Sequence, residues 1–325
     1  MENDTVLQVG LNNLMRNNMS QNGINNGSNQ WFGYYKKFDY FSPELIRAGC
    51  FPRIMEHNST DKAIVLIHGL SDSPYFMTAI ADHFYKLGYN VYLPLLHFHG
   101  LKKPMGMEGV ELKEWKANVR FAINTAAASA KNISIGGLST GGTLSFYMAC
   151  INPKINGQLY LFSAALDLAG GPMGLFGELK ERILRTYAAD VLDKFNEKKP
   201  LVGLNPYRYA CIDMDGAQEL ARLIKETDDL MDEYDANNPF PVRVFAAHSE
   251  CDTTADINGI WALQAKTPAD RFILYIIPKS DDVSHASVVL KNNIEVKEDS
   301  AGNTVVLEMA NPKFMEMMEA ITDFQ

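Results

Sequence analysis

No stretch of this sequence is apolar for long enough to cross a bilayer as a helix. Met1 is not followed by the basic and apolar leader of an exported protein, so a cytoplasmic location is the default expectation. An envelope or secreted location remains the alternative if a leader has been removed. Positive charge is also scarce. Lys and Arg number 30 against 39 Asp and Glu, for a formal net charge of −9. That balance argues against nucleic-acid partners and against charge-driven adsorption to anionic membranes. Cysteine is sparse, and Cys50, Cys150, Cys211 and Cys251 have no metal-ligand spacing. No cofactor-binding motif is present, so neither a cofactor nor a metal is expected. The remaining composition, 46% hydrophobic over 325 residues, suits one large domain or a core with an insertion.

What the sequence does have is Gly137-Leu138-Ser139-Thr140-Gly141, a G-x-S-x-G between two contrasting segments. Asn132 to Gly136 reads as a short buried strand, and Gly142 to Cys150 reads as a packed helix. A serine on a sharp strand-to-helix turn projects its hydroxyl clear of the sheet. The helix N-terminus that follows offers backbone N–H groups and a partial positive charge to the reacting atoms. On its own the pentapeptide is equally a glycine-rich turn, so its meaning depends on the rest of the chain.

Two further β-runs precede it. Ala63 to Ile67 ends in His68-Gly69-Leu70, and Asn90 to Leu96 runs into His97-Phe98-His99-Gly100. The stretches Ile67 to Pro74, Gly136 to Gly142 and Ser284 to Ser287 together resemble the α/β-hydrolase fold. Within it they are similar to the esterase and lipase branch of bacterial carboxylesterases, monoacylglycerol lipases and lysophospholipases. The resemblance runs from about residue 61 to the C-terminus. It implies a mostly parallel sheet covered by helices, with an inserted helical cap. Many relatives carry Pro-Gly-His-Gly where this chain has His97-Phe98-His99-Gly100. That departure bears on the shape of the loop and on substrate access, not on the chemistry.

The fold orders its triad as Ser, then acid, then His. Of the seven histidines, His57, His68, His83, His97 and His99 precede Ser139, and His248 precedes the favoured acid. His285, in a polar loop after the strand Phe272 to Pro278, is left as the general base. Glu250, Asp252, Asp256 and Asp167 all qualify as the acid by position. Asp252 matches the family position, Glu250 and Asp256 read as surface or capping carboxylates, and Asp167 follows an earlier strand, Gln158 to Ala164. The backbone N–H groups of Leu70 and Thr140 are the expected oxyanion donors, with His68 and His99 holding the loop around Leu70.

Residues 1–60 read as an Asn-rich arm with lead-in elements, flexible over Met19 to Gln30 and aromatic over Trp31 to Phe41. Residues 61–325 read as the catalytic domain. Helices are expected over Pro74 to Leu87 and Glu111 to Ala127. About 75 residues separate Ala164 from the strand near Pro241, more than a crossover needs, and place a cap over about 168–240. Met173, Leu175 and Phe176 are candidates for an acyl pocket there. A cap helix from Asp215 through Tyr234 would begin with a capping box of Asp215 and Gln218. Ile294 to Glu308 reads as a hairpin decorating the edge, and Pro312 to Phe324 as an amphipathic helix. The expected function is cleavage of carboxylic esters of acyl glycerols, lysophospholipids or short to medium acyl chains. The alternatives are thioester hydrolysis, acyl transfer or peptide cleavage with the same triad, or a non-catalytic homologue that keeps the fold.

Overall fold

The computed structural model describes residues 26–102, 107–167, 203–211, 213–297 and 304–325. Its centre is β2 (Lys62–Ile67), a continuous apolar run. Ala63, Val65 and Ile67 point into one buried cluster, while Ile64 and Leu66 point into another. A strand buried on both faces must be covered on both faces, and the sheet is built accordingly. Its order is β1 (Arg53–Met55), β3 (Asn90–Leu93), β2, β4 (Asn132–Leu138), β5 (Gln158–Phe162), β6 (Arg243–Ser249), β7 (Phe272–Ile277). All neighbouring pairs are parallel except β1 with β3. The antiparallel β1 lies upstream of residue 61, so the lead-in contributes an edge strand.

One face is covered by α3 (Leu112–Ser129) and α4 (Thr140–Ile151). The other is covered by α2 (Thr78–Lys86) and α7 (Phe314–Phe324), through Phe84, Met317, Met318 and Ile321. The expected helix from Pro74 opens with a 3₁₀ turn, Pro74–Met77, before becoming α-helical. Helix α3 is closed at its start by a reciprocal capping box of Glu111 and Glu114. The second strand stops at Leu93, before the expected Leu96. Beyond it the Leu95 N–H turns to the Tyr35 hydroxyl, 3.0 Å away, and leaves the ladder.

Two expectations are corrected. The Asn-rich stretch is not flexible to its end, because α1 (Asn26–Tyr35) starts inside it. Trp31 and Tyr35 are fully buried, and Tyr34 stacks on Phe121 with centroids 3.9 Å apart. Aromatic burial outweighs the weak helix propensity of asparagine and glycine. Next, α5 (Met214–Met231) is capped by Asp213, whose carboxylate accepts the Asp215 N–H at 2.9 Å. Asp215 instead accepts the Gly109 N–H at 2.7 Å. The buried face of α5 carries Leu220, Ile224, Thr227 and Met231, packed against α3 and α4. The hairpin expected over Ile294 to Glu308 is present as antiparallel β8 (Ile294–Lys297) and β9 (Thr304–Glu308), which form a two-stranded sheet of their own. The first part of the expected cap, 168–202, lies outside the described residues. No disulfide joins any of the four cysteines.

Candidate active site

Every chemically suggestive residue after a parallel strand lies at the carboxyl edge of the sheet, where folds of this architecture bind their ligands. Leu70 follows β2, His97 and His99 follow β3, Ser139 follows β4, Asp252 follows β6 and His285 follows β7.

Ser139 has φ 54° and ψ −120°, a conformation that costs a side-chain-bearing residue on the order of 1–3 kcal/mol. It persists because the backbone around it is fixed. The Ser139 N–H donates to the Phe162 carbonyl at 3.0 Å, and its own carbonyl accepts the Thr143 N–H at 3.1 Å and the Ala165 N–H at 3.3 Å. The turn closes only because Gly141 lacks a side chain. A Cβ there would lie 2.6 Å from the His68 carbonyl oxygen and closer still to that of Ile67. Thr140 is the first residue of α4, where backbone N–H groups have no intrahelical acceptor.

The loop after β2 reaches the serine from the other side. A Cβ on Gly69 would sit 3.4 Å from the Ser139 Cβ. Gly69 to Asp72 form a turn in which the Asp72 N–H donates to the Gly69 carbonyl at 3.2 Å. That carbonyl also accepts His68 Nδ1–H at 2.9 Å. The tautomer follows from the other ring nitrogen, since Nε2 accepts the Leu96 N–H at 3.2 Å. His99 Nε2 faces the Leu70 carbonyl at 2.7 Å and Nδ1 faces the His97 carbonyl at 2.8 Å. Burial pushes His99 down to about 4 against the opposing pull of those carbonyls. Burial, and then the neighbouring His99, push His68 well below the usual histidine range. One donor bond and one acceptor bond mark His68 as a neutral structural piece, while His99 is clamped between two carbonyls.

At the departure from the relatives' pattern, Phe98 adopts φ 61°. The loop thus takes a left-handed turn despite carrying a bulky residue, strained as such residues are there. Tyr209 Oη pins it by donating to the Phe98 carbonyl at 2.8 Å and accepting the Leu101 N–H at 3.0 Å.

Asp252 and His285 are brought together by a 2.7 Å bond between Oδ2 and Nδ1. The Asp252 side chain is fully buried, and its other oxygen accepts the Thr254 and Ala255 N–H groups at 2.8 and 3.0 Å. Burial alone would raise this carboxyl. The charge and hydrogen bond of His285, helped by His248 and Thr254, outweigh it and hold the group down at about 2. Of the other three acid candidates, Glu250 and Asp256 use their side chains elsewhere, and Asp167 is seen through its backbone carbonyl. Glu250 accepts the Lys279 N–H, Asp256 caps α6 (Ile257–Ala265), and the Asp167 carbonyl accepts the Asp256 N–H at 3.1 Å. Met173, Leu175 and Phe176 lie outside the described residues.

The sequence did not single out His248 as part of this arrangement. It is 2% exposed, with Nε2 3.9 Å from Asp252 Oδ2. Together with Asp252, Trp261 and Lys279 it lines a hollow beside the acid. Asp72, Arg208 and Tyr209 were also missed. Among the described residues, no group of three or more His, Cys, Asp or Glu side chains is gathered to hold a metal ion.

No protein-family model matches the chain. Among solved structures, a metagenome-derived lipolytic enzyme (LipS or LipT) superposes with a TM-score of 0.62 at 16% identity, over 86% of this chain and 98% of that one. This is the α/β-hydrolase fold. A monoacylglycerol lipase of Paleococcus ferrophilus shares the same α/β-hydrolase architecture, with a TM-score of 0.54, 16% identity and the same coverage of the two chains. In sequence, a thermostable monoacylglycerol lipase from Bacillus sp. (strain H-257) is 33% identical over 114 residues. That match spans 35% of this chain and 45% of the Bacillus enzyme, less than half of the relative's length.

Proposed function

We propose that the protein is a serine hydrolase of carboxylic esters, with Ser139 as nucleophile, His285 as general base and Asp252 as its orienting acid. The observation that carries this reading is the 2.7 Å bond from a buried, ionised Asp252 to His285 Nδ1, at the sheet edge that also carries a strained Ser139. That bond fixes the tautomer that leaves Nε2 free to accept a proton. Ser139 Oγ attacks the ester carbonyl carbon as its proton passes to Nε2. The carbonyl oxygen becomes an oxyanion, met by the N–H groups of Leu70 and Thr140. Such donors are worth about 3 kcal/mol each to the transition state. The intermediate collapses, the C–O bond to the alcohol breaks, and His285 returns the proton to the leaving oxygen. Water then repeats the sequence on the acyl-enzyme.

The preferred substrate class is a monoacylglycerol, a lysophospholipid or a short to medium acyl ester. The Bacillus relative and the Paleococcus neighbour, both monoacylglycerol lipases, support the first of these. Residues 1–60 are proposed as lead-in to a catalytic domain over 61–325, with Met173, Leu175 and Phe176 bounding the acyl pocket of its cap.

A fluorophosphonate probe tests the nucleophile. Wild type should be labelled and Ser139→Ala should not; labelling of the alanine variant would refute the assignment. A panel of glycerol esters, lysophospholipids and acyl-CoA thioesters should show turnover on the oxygen esters. Turnover confined to thioesters would replace this reading with the thioesterase one.

A further inference from the structure

The turn Gly69 to Asp72 is held from two sides. On the inner side, His68 and the Asp72 N–H fix the Gly69 carbonyl. A trans peptide is planar, so fixing that carbonyl aims the Leu70 N–H in the opposite direction. On the outer side, the holding groups come from Arg208 and Tyr209. The Tyr209 N–H donates to the Ser71 carbonyl at 2.7 Å. Arg208 Nη2 donates to Ser71 Oγ at 2.9 Å, and Nε faces Asp72 Oδ1 at 3.3 Å. Nη1 donates to Glu308 Oε1 on β9 at 2.8 Å. The Arg208 chain is braced in turn by Arg47, whose Nη1 donates to the carbonyls of Asn205 and Arg208 at 3.1 and 2.9 Å.

The charges matter as much as the bonds. The Asp72 side chain is 4% exposed and that of Arg208 is 12% exposed. Asp72 Oδ2 lies over the same face of Gly69 that Ser139 approaches, because a Cβ built on Gly69 would run into that oxygen and lie in contact with Ser139 Cβ, 3.4 Å away. A buried carboxylate beside a site where negative charge develops opposes catalysis unless a cation is paired with it. Arg208 is the paired cation.

We propose that Arg208 is a positioning residue for the oxyanion turn, holding Ser71 and Asp72 in place while offsetting, as a cation shared with Glu308, part of the carboxylate charge of Asp72 next to the reacting atoms. The role rests on the reading of Leu70 as an oxyanion donor. It makes a demand that a purely structural arginine does not: removing Arg208 harms turnover mainly by uncovering Asp72, so removing the Asp72 charge as well should restore part of it.

The test is a cycle of Arg208→Met, Asp72→Asn and the double variant, measured on p-nitrophenyl butyrate. Arg208→Met should lower kcat roughly 30- to 100-fold, comparable to losing one oxyanion donor, with KM within about threefold of wild type. The double variant should recover at least about fivefold of that loss. Arg208→Lys keeps the charge without the two-sided fork and should fall in between. It also serves as the readout if the methionine variant does not fold. Losses in the double variant that multiply, or a kcat in Arg208→Met equal to wild type, would overturn the role. The fluorophosphonate comparison of wild type with Ser139→Ala keeps the two readings apart. Label lost in Ser139→Ala upholds the site, so a failed cycle then counts against Arg208 alone. Label retained there removes the site and this role with it.

Discussion

The elbow at Ser139 and the turn at Gly69 to Asp72 approach each other closely, a Cβ on Gly69 lying 3.4 Å from the Ser139 Cβ, yet they are stabilised by different means. The elbow is held mainly by backbone, with the Thr143 hydroxyl also donating to the Ser139 carbonyl at 3.3 Å and to that of Ala165 at 2.9 Å. Its bonds run to Phe162, Thr143 and Ala165, and its shape depends on the missing side chain at Gly141. The turn is held by side chains, from His68, His99 and Arg208, with the Tyr209 N–H added. Backbone support is cooperative with the sheet and fails only when the sheet fails. Side-chain support can be removed one bond at a time. Damage to the elbow should therefore appear as lost stability, and damage to the turn as lost turnover in a folded protein.

The largest effect provides a reference that touches neither support. Asp252→Asn favours the wrong imidazole tautomer and should lower kcat by roughly 10³- to 10⁴-fold with the protein still folded. Asp167→Asn should stay near wild type. Stopped assays on butyrate esters check both, and a reversed ranking would move the acid to the end of β5. Next, Gly141→Ala forces a methyl group against the carbonyls of Ile67 and His68. It should destabilise the fold by about 3 kcal/mol or more, read as a drop in urea midpoint. A stable but inactive Gly141→Ala would erase the distinction between elbow and turn.

The pH dependence of stability comes third. Burial depresses His99, so the unfolded chain binds a proton there near pH 6.5 while the folded chain resists until about 4. Its stabilising contribution is full above pH 6.5 and is lost as pH falls toward 4, amounting to about 3 kcal/mol for this ring. Urea midpoints at pH 7, 5.5 and 4 should fall steeply in wild type and less steeply in His99→Gln. Equal slopes would show that the ring is already charged in the folded state. The smallest effect is His68→Gln. Loosening the Gly69 carbonyl should cost about tenfold in kcat at pH 7, with KM for an acetate ester unchanged. A loss expressed in KM alone would mean that the turn binds substrate without steering the oxyanion.

The same contrast explains what could be read in the sequence. Elbow, strands and covering helices are written in contiguous runs whose periodicity and glycines follow from local sterics. The His285 loop follows from chain order once the elbow is placed. The supports of the turn lie 29 positions away for His99 and 137 for Arg208, and no local rule links them. No role for Asn205 to Tyr209 could be read in the sequence, because the partners of that segment are defined only in three dimensions. Composition misled at Asn26 to Gln30, since burial of Trp31 and Tyr35 decides the conformation of that stretch. The cap on α5 was displaced because Asp213 and Asp215 are both good capping residues, and the Gly109 N–H claims the second.

The hollow beside Asp252 makes the molecule its own optical gauge. Trp31 and Trp115 are fully enclosed, whereas Trp261, on the rim of that hollow, is 51% exposed. A dissolved quencher should reach the third indole and spare the first two, splitting the intrinsic emission into a shielded blue part and an accessible red part. Any molecule that settles against the acid side of the site should dim or shift the red part alone, reporting occupancy without a label and without turnover.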